Sequence, residues 1–424
     1  MFQRIEARHY KCLKQVRLEL RPFNILIGPN ASGKSTFLDT LSFLRDALKG
    51  DVEEAVRSRA TALRELVWRG EEVKQGFEIA VEVNIPTEQQ PTNGYDRLRY
   101  EVGVGLDAEG SLIVSDENLW LMNSSQVKAR ASSQPVLFPA EPDDSNTVLH
   151  VARKKTPPGY RLVVRKVAES GNDYFRSERT DWNIYFRLSP RRLALSGIPE
   201  DHDRFPMALW LKQVLSESMQ MLQLNSVLMR RPCPSDAPRT FQPDGSNLPL
   251  MVLELRKDPQ RFQWWLGHLQ TILEDLEDVA VGEREEDRSR YLILTYRSGL
   301  KVPAWLLSDG TLRLLALTLI AYLPQRDRIF LIEEPENGVH PRAIEAVFQS
   351  LTSVYEGQVF LATHSPLITA LAQPEQLLIF GQTPNGATDV VRGPDHPALR
   401  AWRKEVPLET LFGGVGVDAL APRC

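Results

Sequence analysis

The chain has 424 residues, 42% of them hydrophobic and 25% charged, with a formal net charge of −4. That length allows two or three domains and that hydrophobic share can fill a core, while the small negative charge gives no global attraction to nucleic acid. No run of about 18 apolar residues occurs and the N-terminus lacks the form of a signal peptide, so a cytoplasmic protein with no membrane partner is expected.

Residues 4–7 and 16–20 alternate as half-buried strands do, and Phe23-Asn24-Ile25-Leu26-Ile27 reads as a buried strand. Gly28-Pro29-Asn30-Ala31-Ser32-Gly33-Lys34-Ser35-Thr36 follows, a complete G-x-x-x-x-G-K-[ST] phosphate loop leading into a helix that should run to about Lys49. Gly28 and Gly33 let the backbone wrap closely, so that N–H groups can point at phosphate oxygens where the helix begins. Lys34 can then reach the β and γ phosphates of a nucleotide, and Ser35 can place its hydroxyl on Mg²⁺. The helical pattern continues over 51–67. Period-two runs at 77–83, 100–106 and 160–164 predict antiparallel strands and a sheet-rich N-terminal lobe. Polar and Pro-rich stretches at 124–146 and 230–249 read as loops, and 205–228 and 248–279 as helical, without the sustained heptads of a coiled-coil arm.

Local charge is uneven. Residues 151–192 hold eleven Lys and Arg against Glu169, Asp173, Glu178 and Asp181, a net of +7, with Tyr160, Tyr174, Phe175, Trp182, Tyr185 and Phe186 among them. A solvated basic face with its aromatics in the core is one reading, and a surface for DNA, RNA or an acidic partner is the other. Residues 274–287 are acidic by contrast. Cys12, Cys233 and Cys424 are too scattered for a disulfide framework or a zinc knuckle and read as ordinary core or surface residues.

A second set of motifs lies near the C-terminus. Ser308-Asp309-Gly310-Thr311 opens a helical run and reads either as an anion-binding nest or simply as a helix N-cap, Ser308 or Asp309. Residues 328–341 then form an apolar strand ending in Glu333-Glu334-Pro335-Glu336-Asn337. Carboxylates at a strand end beside a phosphate loop can hold hydrated Mg²⁺ with one acid and orient an attacking water with the next. A third strand, 358–363, ends at His364-Ser365-Pro366, where a histidine can touch a γ-phosphate.

The ordered set of phosphate loop, 308–311 signature, 333–337 Walker B and D-loop, and Thr363-His364-Ser365 switch resembles the non-transporting ABC-type ATPases of the RecF, SMC and OLD (overcoming lysogenisation defect) branch, which includes stand-alone predicted ATPases. The motifs cover roughly residues 1–50 and 300–370. The resemblance implies an α/β fold: an ABC-type P-loop ATPase head, with a mixed sheet of antiparallel N-terminal lobe and parallel nucleotide-binding core, and an inserted α+β region. It divides the chain into 1–95 with the phosphate loop, 96–290 as the insert, and 291–424 with the remaining motifs. It further implies a homodimer or higher homo-oligomer that sandwiches ATP, the loop of one protomer facing residues 308–311 of the other. In that scheme Lys34, Glu334 and His364 are catalytic: Glu334 polarises the water and His364 senses the γ-phosphate. Ser35 and Glu333 hold the metal, and Asn337 communicates across the interface. Glu333 departs from the usual aspartate, a longer carboxylate compatible with slow turnover. The Q-loop glutamine is not secure, with Gln75 as candidate.

OLD nucleases carry a C-terminal TOPRIM domain built on a Glu and an Asp-x-Asp cluster. Sixty residues follow His364, and their acids Glu375, Asp389, Asp395, Glu405, Glu409 and Asp418 contain no Asp-x-Asp, so a nuclease in cis is not expected. The leading expectation is a dimeric ATPase switch acting on or near DNA in anti-phage defence or repair, coupled to a separate effector such as a nuclease or toxin. A transporter's nucleotide-binding subunit, or an assembly scaffold with negligible hydrolysis, remains the alternative.

Overall fold

The computed structural model describes residues 1–69, 75–90, 94–126, 138–140, 147–150, 156, 158–168, 173–324 and 327–400. They form two compact units, one of residues within 1–219 together with 374–400, the other of residues within 220–373.

The first unit is dominated by an eight-stranded sheet whose neighbours are all antiparallel. Its order is Leu13–Glu19, Phe2–Tyr10, Phe77–Asn84, Arg97–Leu106, Leu112–Met122, Tyr160–Val167, Tyr174–Arg176 and Asn183–Tyr185. The period-two signal sets the register: Ile5 lies opposite Leu18 on one side and Val81 on the other, all buried. Helix Lys34–Lys49 lays Phe43 against Phe77, with ring centroids 5.1 Å apart, and Tyr10 meets Phe77 at 4.9 Å. The unit also holds strand Phe23–Ile27, parallel to Leu377–Gln382, which in turn pairs antiparallel with Thr388–Arg392. All five residues of Phe23–Ile27 are buried, as its unbroken apolar character requires.

In the second unit Ile329–Glu333 runs parallel to Gln358–Ala362, and a three-stranded antiparallel sheet joins Leu276–Glu283, Arg290–Tyr296 and Lys301–Pro303. Helices Pro259–Gln270, Asp309–Leu319 and Pro341–Thr352 converge on Thr318. Its hydroxyl accepts from Trp265 Nε1 at 3.0 Å, and its carbonyl accepts from Ser350 Oγ at 2.8 Å.

Three expected helices are shorter than their patterns. Within 51–67 only Val52–Arg57 is α-helical. The 205–228 run stops after a π turn at Val214–Ser218 and becomes strand Met219–Leu222, because Met219, Gln220 and Leu222 are all buried. The 248–279 run breaks at Asp258-Pro259: proline disfavours helix at the residue before it, and Asp258 instead caps Pro259–Gln270 by accepting from the Arg261 amide. Its last residues then form strand Leu276–Glu283. Residues 127–137 and 141–146 of the expected 124–146 loop lie outside the described residues.

Candidate functional site

In the first unit the phosphate-loop sequence links strand Phe23–Ile27 to helix Lys34–Lys49 through backbone conformations that favour glycine. Gly28 has φ +150°, Ala31 +64° and Gly33 +102°. A Cβ on Gly28 would lie 2.3 Å from the Phe380 carbonyl oxygen, and one on Gly33 the same distance from Thr388 Oγ1 and 3.1 Å from Cys12 Sγ. Both positions therefore need glycine twice over, for conformation and for space. Lys34 is 7% exposed and turns back into the loop, its Nζ donating to the carbonyls of Gly28 at 2.8 Å and Pro29 at 2.9 Å. Asn30, Ala31 and Ser35 are exposed and Thr36 is half-buried. Ser32 Oγ is buried with no partner among the described residues. A glycine-rich loop at a helix N-terminus that holds an ammonium suits a polyphosphate.

Two residues outside the motif hold the loop in place. Thr388, 1% exposed, donates from Oγ1 to the Ser32 carbonyl at 2.9 Å, and from its amide to the Cys12 carbonyl at 2.9 Å. The helix behind the loop is anchored through Asp39, which accepts from Tyr10 Oη at 2.7 Å, Lys11 Nζ at 2.6 Å and Arg59 Nε at 2.6 Å. Burial alone would raise the Asp39 carboxyl, but the charges of Arg59 and Lys11 outweigh it and hold the group below its ordinary value.

In the second unit Ser308 caps helix Asp309–Leu319, its Oγ accepting from the Thr311 amide at 3.1 Å. The N-cap reading is correct, and it coexists with an exposed helix start at Ser308 and Asp309. Arg230 braces this start by donating to the Leu307 carbonyl at 2.9 Å and to the Asp309 carboxylate. Gly310 sits against the turn that follows the acidic strand: its Cβ would lie 2.7 Å from the Gly338 carbonyl oxygen.

Strand Ile329–Glu333 buries its first four residues and exposes Glu333, and Glu334 is also exposed, at φ +47°. The Glu334 amide donates to the Ala362 carbonyl at 2.8 Å, and the Asn337 side-chain amide donates to the Glu334 carboxylate. Asn337, expected to act across a dimer, is thus engaged within its own turn. Glu336 Oε1 accepts from Thr363 Oγ1 at 2.6 Å and from the His364 amide at 3.2 Å, which brings the acidic turn and the half-buried His364 together. Gln75 is exposed just before strand Phe77–Asn84. Among the described residues no three His, Cys, Asp or Glu side chains gather to hold a metal; Mg²⁺ beside phosphates commonly takes only one or two carboxylates.

Part of the charge of the basic segment is engaged within the protein. Arg161 donates to the Ser177 and Thr180 carbonyls, and Lys166 to those of Ser189 at 2.9 Å, Pro190 at 3.3 Å and Arg192 at 2.5 Å. Arg176 pairs with Asp181 and Arg191 with Glu53. Arg179 and Arg187 remain exposed, and beside them Trp182, Ile184 and Tyr185 are 39%, 42% and 65% exposed on or beside the edge strand Asn183–Tyr185. Arg153, Lys154, Lys155 and Glu169 lie outside the described residues, as do Glu405, Glu409, Asp418 and Cys424.

A family model described as "AAA domain, putative AbiEii toxin, Type IV TA system" matches residues 23–370. The OLD nuclease of Thermus scotoductus is 34% identical over 58 residues, 14% of this chain and 10% of that protein. Structural maintenance of chromosomes protein 1 of Schizosaccharomyces pombe is 27% identical over 108 residues, 25% of this chain and 8% of that protein. The matched stretches thus span a tenth or less of either relative's length. Among solved structures, an SMC head bound to the C-terminal winged-helix domain of ScpA has a similar fold. Its TM-score is 0.53 at 14% identity, over 92% of this chain and 97% of that one. No helix among the described residues is long and apolar enough to cross a membrane.

Proposed function

We propose, for a chain that belongs to the AAA-domain family whose model spans residues 23–370 and that has the fold of an ABC-type ATPase head, that it is an ATP-binding and ATP-hydrolysing switch working as a dimer. The observation that carries this reading is Lys34: a buried lysine whose ammonium is held by two carbonyls of its own loop, where Gly28, Ala31 and Gly33 all take positive φ. Such a loop is already shaped for phosphate, and on binding the ammonium would exchange the carbonyls of Gly28 and Pro29 for β and γ oxygens.

The remaining roles follow the resemblance. In that scheme residues 28–36 would cradle the phosphates, and Ser35 and Glu333 would be the residues for Mg²⁺, which would supply positive charge to the triphosphate. Glu334 polarises the attacking water, with Asn337 orienting its carboxylate, and His364 contacts the γ-phosphate. Ser308, Asp309, Gly310 and Thr311 serve the nucleotide of a second protomer.

A task on or near DNA, in defence or repair with a separate effector, is supported by the family description, which names a toxin–antitoxin system, and by the similarity to an OLD nuclease and an SMC protein. The decisive experiment compares wild type with Glu334→Gln for ATP turnover and for ATP-dependent dimerisation. The variant should bind ATP, lose turnover by at least about a hundredfold and accumulate as dimer. Equal turnover in both proteins would remove Glu334 from the role of base.

A further inference from the structure

We infer that Glu336 is a positioning residue that sets His364 from the turn following the acidic strand, a role that rests on the ATPase reading above. Glu336 differs in kind from its neighbours. Glu333 and Glu334 are exposed, as groups meant for a metal and a water must be, whereas Glu336 is half-buried and its Oε2 is buried without a partner. Among the described residues no Lys or Arg pairs with it. Its carboxylate acts as a hydrogen-bond acceptor, and both donors come from the end of the neighbouring strand: Thr363 Oγ1 at 2.6 Å and the His364 amide at 3.2 Å.

These two bonds fix more than one residue. Thr363 is fully buried and its Oγ1 also accepts from the Ser365 amide at 2.9 Å, while Ser365 Oγ caps helix Pro366–Leu371. One carboxylate oxygen therefore holds the step 363–365, and with it the backbone that aims His364. On its other side Glu336 belongs to a stiff turn. The Glu334 amide is tied to Ala362, the Asn337 amide to the Glu334 carbonyl at 3.0 Å and the Val339 amide to the Glu336 carbonyl at 3.0 Å. Two residues on, the Gly338 carbonyl lies too close to Gly310 to admit a Cβ there. Contact is continuous from the signature helix through Gly310, Gly338 and Glu336 to Thr363 and His364.

The test uses the full chain with histidine-specific ¹⁵N labelling, and wild type, Glu336→Gln, Glu336→Ala and Thr363→Val. A positioning role needs an acceptor and not a charge, so Gln should preserve it and Ala should not. Glu336→Ala should shift the His364 amide resonance, speed its hydrogen exchange and lower kcat by about 10- to 100-fold, with the KM for ATP within about twofold of wild type. Glu336→Gln should restore most of kcat and the wild-type resonance. Thr363→Val, which removes one donor and leaves Glu336 in place, should reproduce part of the alanine defect if the alanine variant fails to fold. The inference is overturned if the His364 amide is unmoved in Glu336→Ala and Thr363→Val, or if Glu336→Gln is as defective as Glu336→Ala. The amide measurements need no turnover, so a wild type that hydrolyses no ATP would refute the ATPase reading while they still decide the role of Glu336.

Discussion

Thr388→Val tests whether the phosphate loop is shaped by residues outside its own motif. The substitution keeps a β-branched side chain on strand Thr388–Arg392 and removes the hydroxyl that donates to the Ser32 carbonyl at 2.9 Å. The amide bond from Thr388 to the Cys12 carbonyl survives, so the strand stays attached. Ser32 is 1% exposed, and water cannot easily replace the lost donor. A hydrogen bond of this kind is worth about 1 kcal/mol net, and leaving a buried acceptor unsatisfied costs up to about 3 kcal/mol. The new methyl also occupies the spot where Thr388 Oγ1 now sits against Gly33, in a space that admits no Cβ on the glycine. If that cost falls on the nucleotide-ready loop, the Kd for ATP should rise about 5- to 150-fold. Thr388→Ser keeps the donor and should bind within about twofold of wild type. Titration calorimetry with ATP and Mg²⁺, beside thermal unfolding without nucleotide, separates the possibilities. Valine and serine variants of equal affinity, with only the valine destabilised, would refute the reasoning: the strand would then support the fold and not the loop.

Arg99 is 1% exposed and donates to Glu101 at 2.6 Å, Glu82 at 2.9 Å and Glu6 at 2.6 Å across the antiparallel sheet, so Arg99→Met leaves three buried carboxylates without their shared cation. Urea unfolding should show a loss of about 3–5 kcal/mol, and a loss under about 1 kcal/mol would mean the network is worth little. Glu178 is buried while accepting from the amides of Met207 at 3.1 Å and Ala208 at 2.8 Å, and burial pushes its carboxyl up to about 7 against those two bonds. Its folded value exceeds the unfolded one, so the folded state holds the proton more tightly. Stability should fall as pH rises from about 4.5 to about 7, by up to about 3 kcal/mol, and level off above. Glu178→Gln should flatten that part of the profile, and an unchanged slope between pH 5 and 8 would exclude Glu178 as its source.

What could be read from the sequence was what is local in the chain. The loop 28–36 and strand Phe23–Ile27 are contiguous, and their chemistry follows from residue type and spacing alone. Asp258-Pro259 is equally local, and it divides the helical stretch expected over 248–279 into Leu248–Arg256 and Pro259–Gln270. The short strands Tyr174–Arg176 and Asn183–Tyr185 carry too few residues to show a period at all, and they are fixed by pairing with Tyr160–Val167 and with each other.

The partners of the site were hidden for a different reason. Thr388 lies 356 positions from Ser32, and nothing in a threonine within a valine-rich strand signals that its hydroxyl closes a phosphate loop. Only the pairing of Leu377–Gln382 with Phe23–Ile27, and of Thr388–Arg392 with Leu377–Gln382, makes the contact. Glu336 stands within the 333–337 motif, but spacing reports which residues share a turn and not where their lone pairs go. The same limit governs the basic segment. A net charge of +7 over 151–192 suggests a field reaching into solvent, yet Arg161 and Lys166 point their donors at carbonyls, and Arg176 and Arg191 at carboxylates of the same unit. A cation whose hydrogen bonds are already made attracts phosphate less than its formal charge implies, since binding must first break them. Any nucleic-acid contact through this segment would therefore rest on the exposed Arg179 and Arg187 together with stacking on the exposed Trp182 and Tyr185 rings, and not on the formal count of its cations.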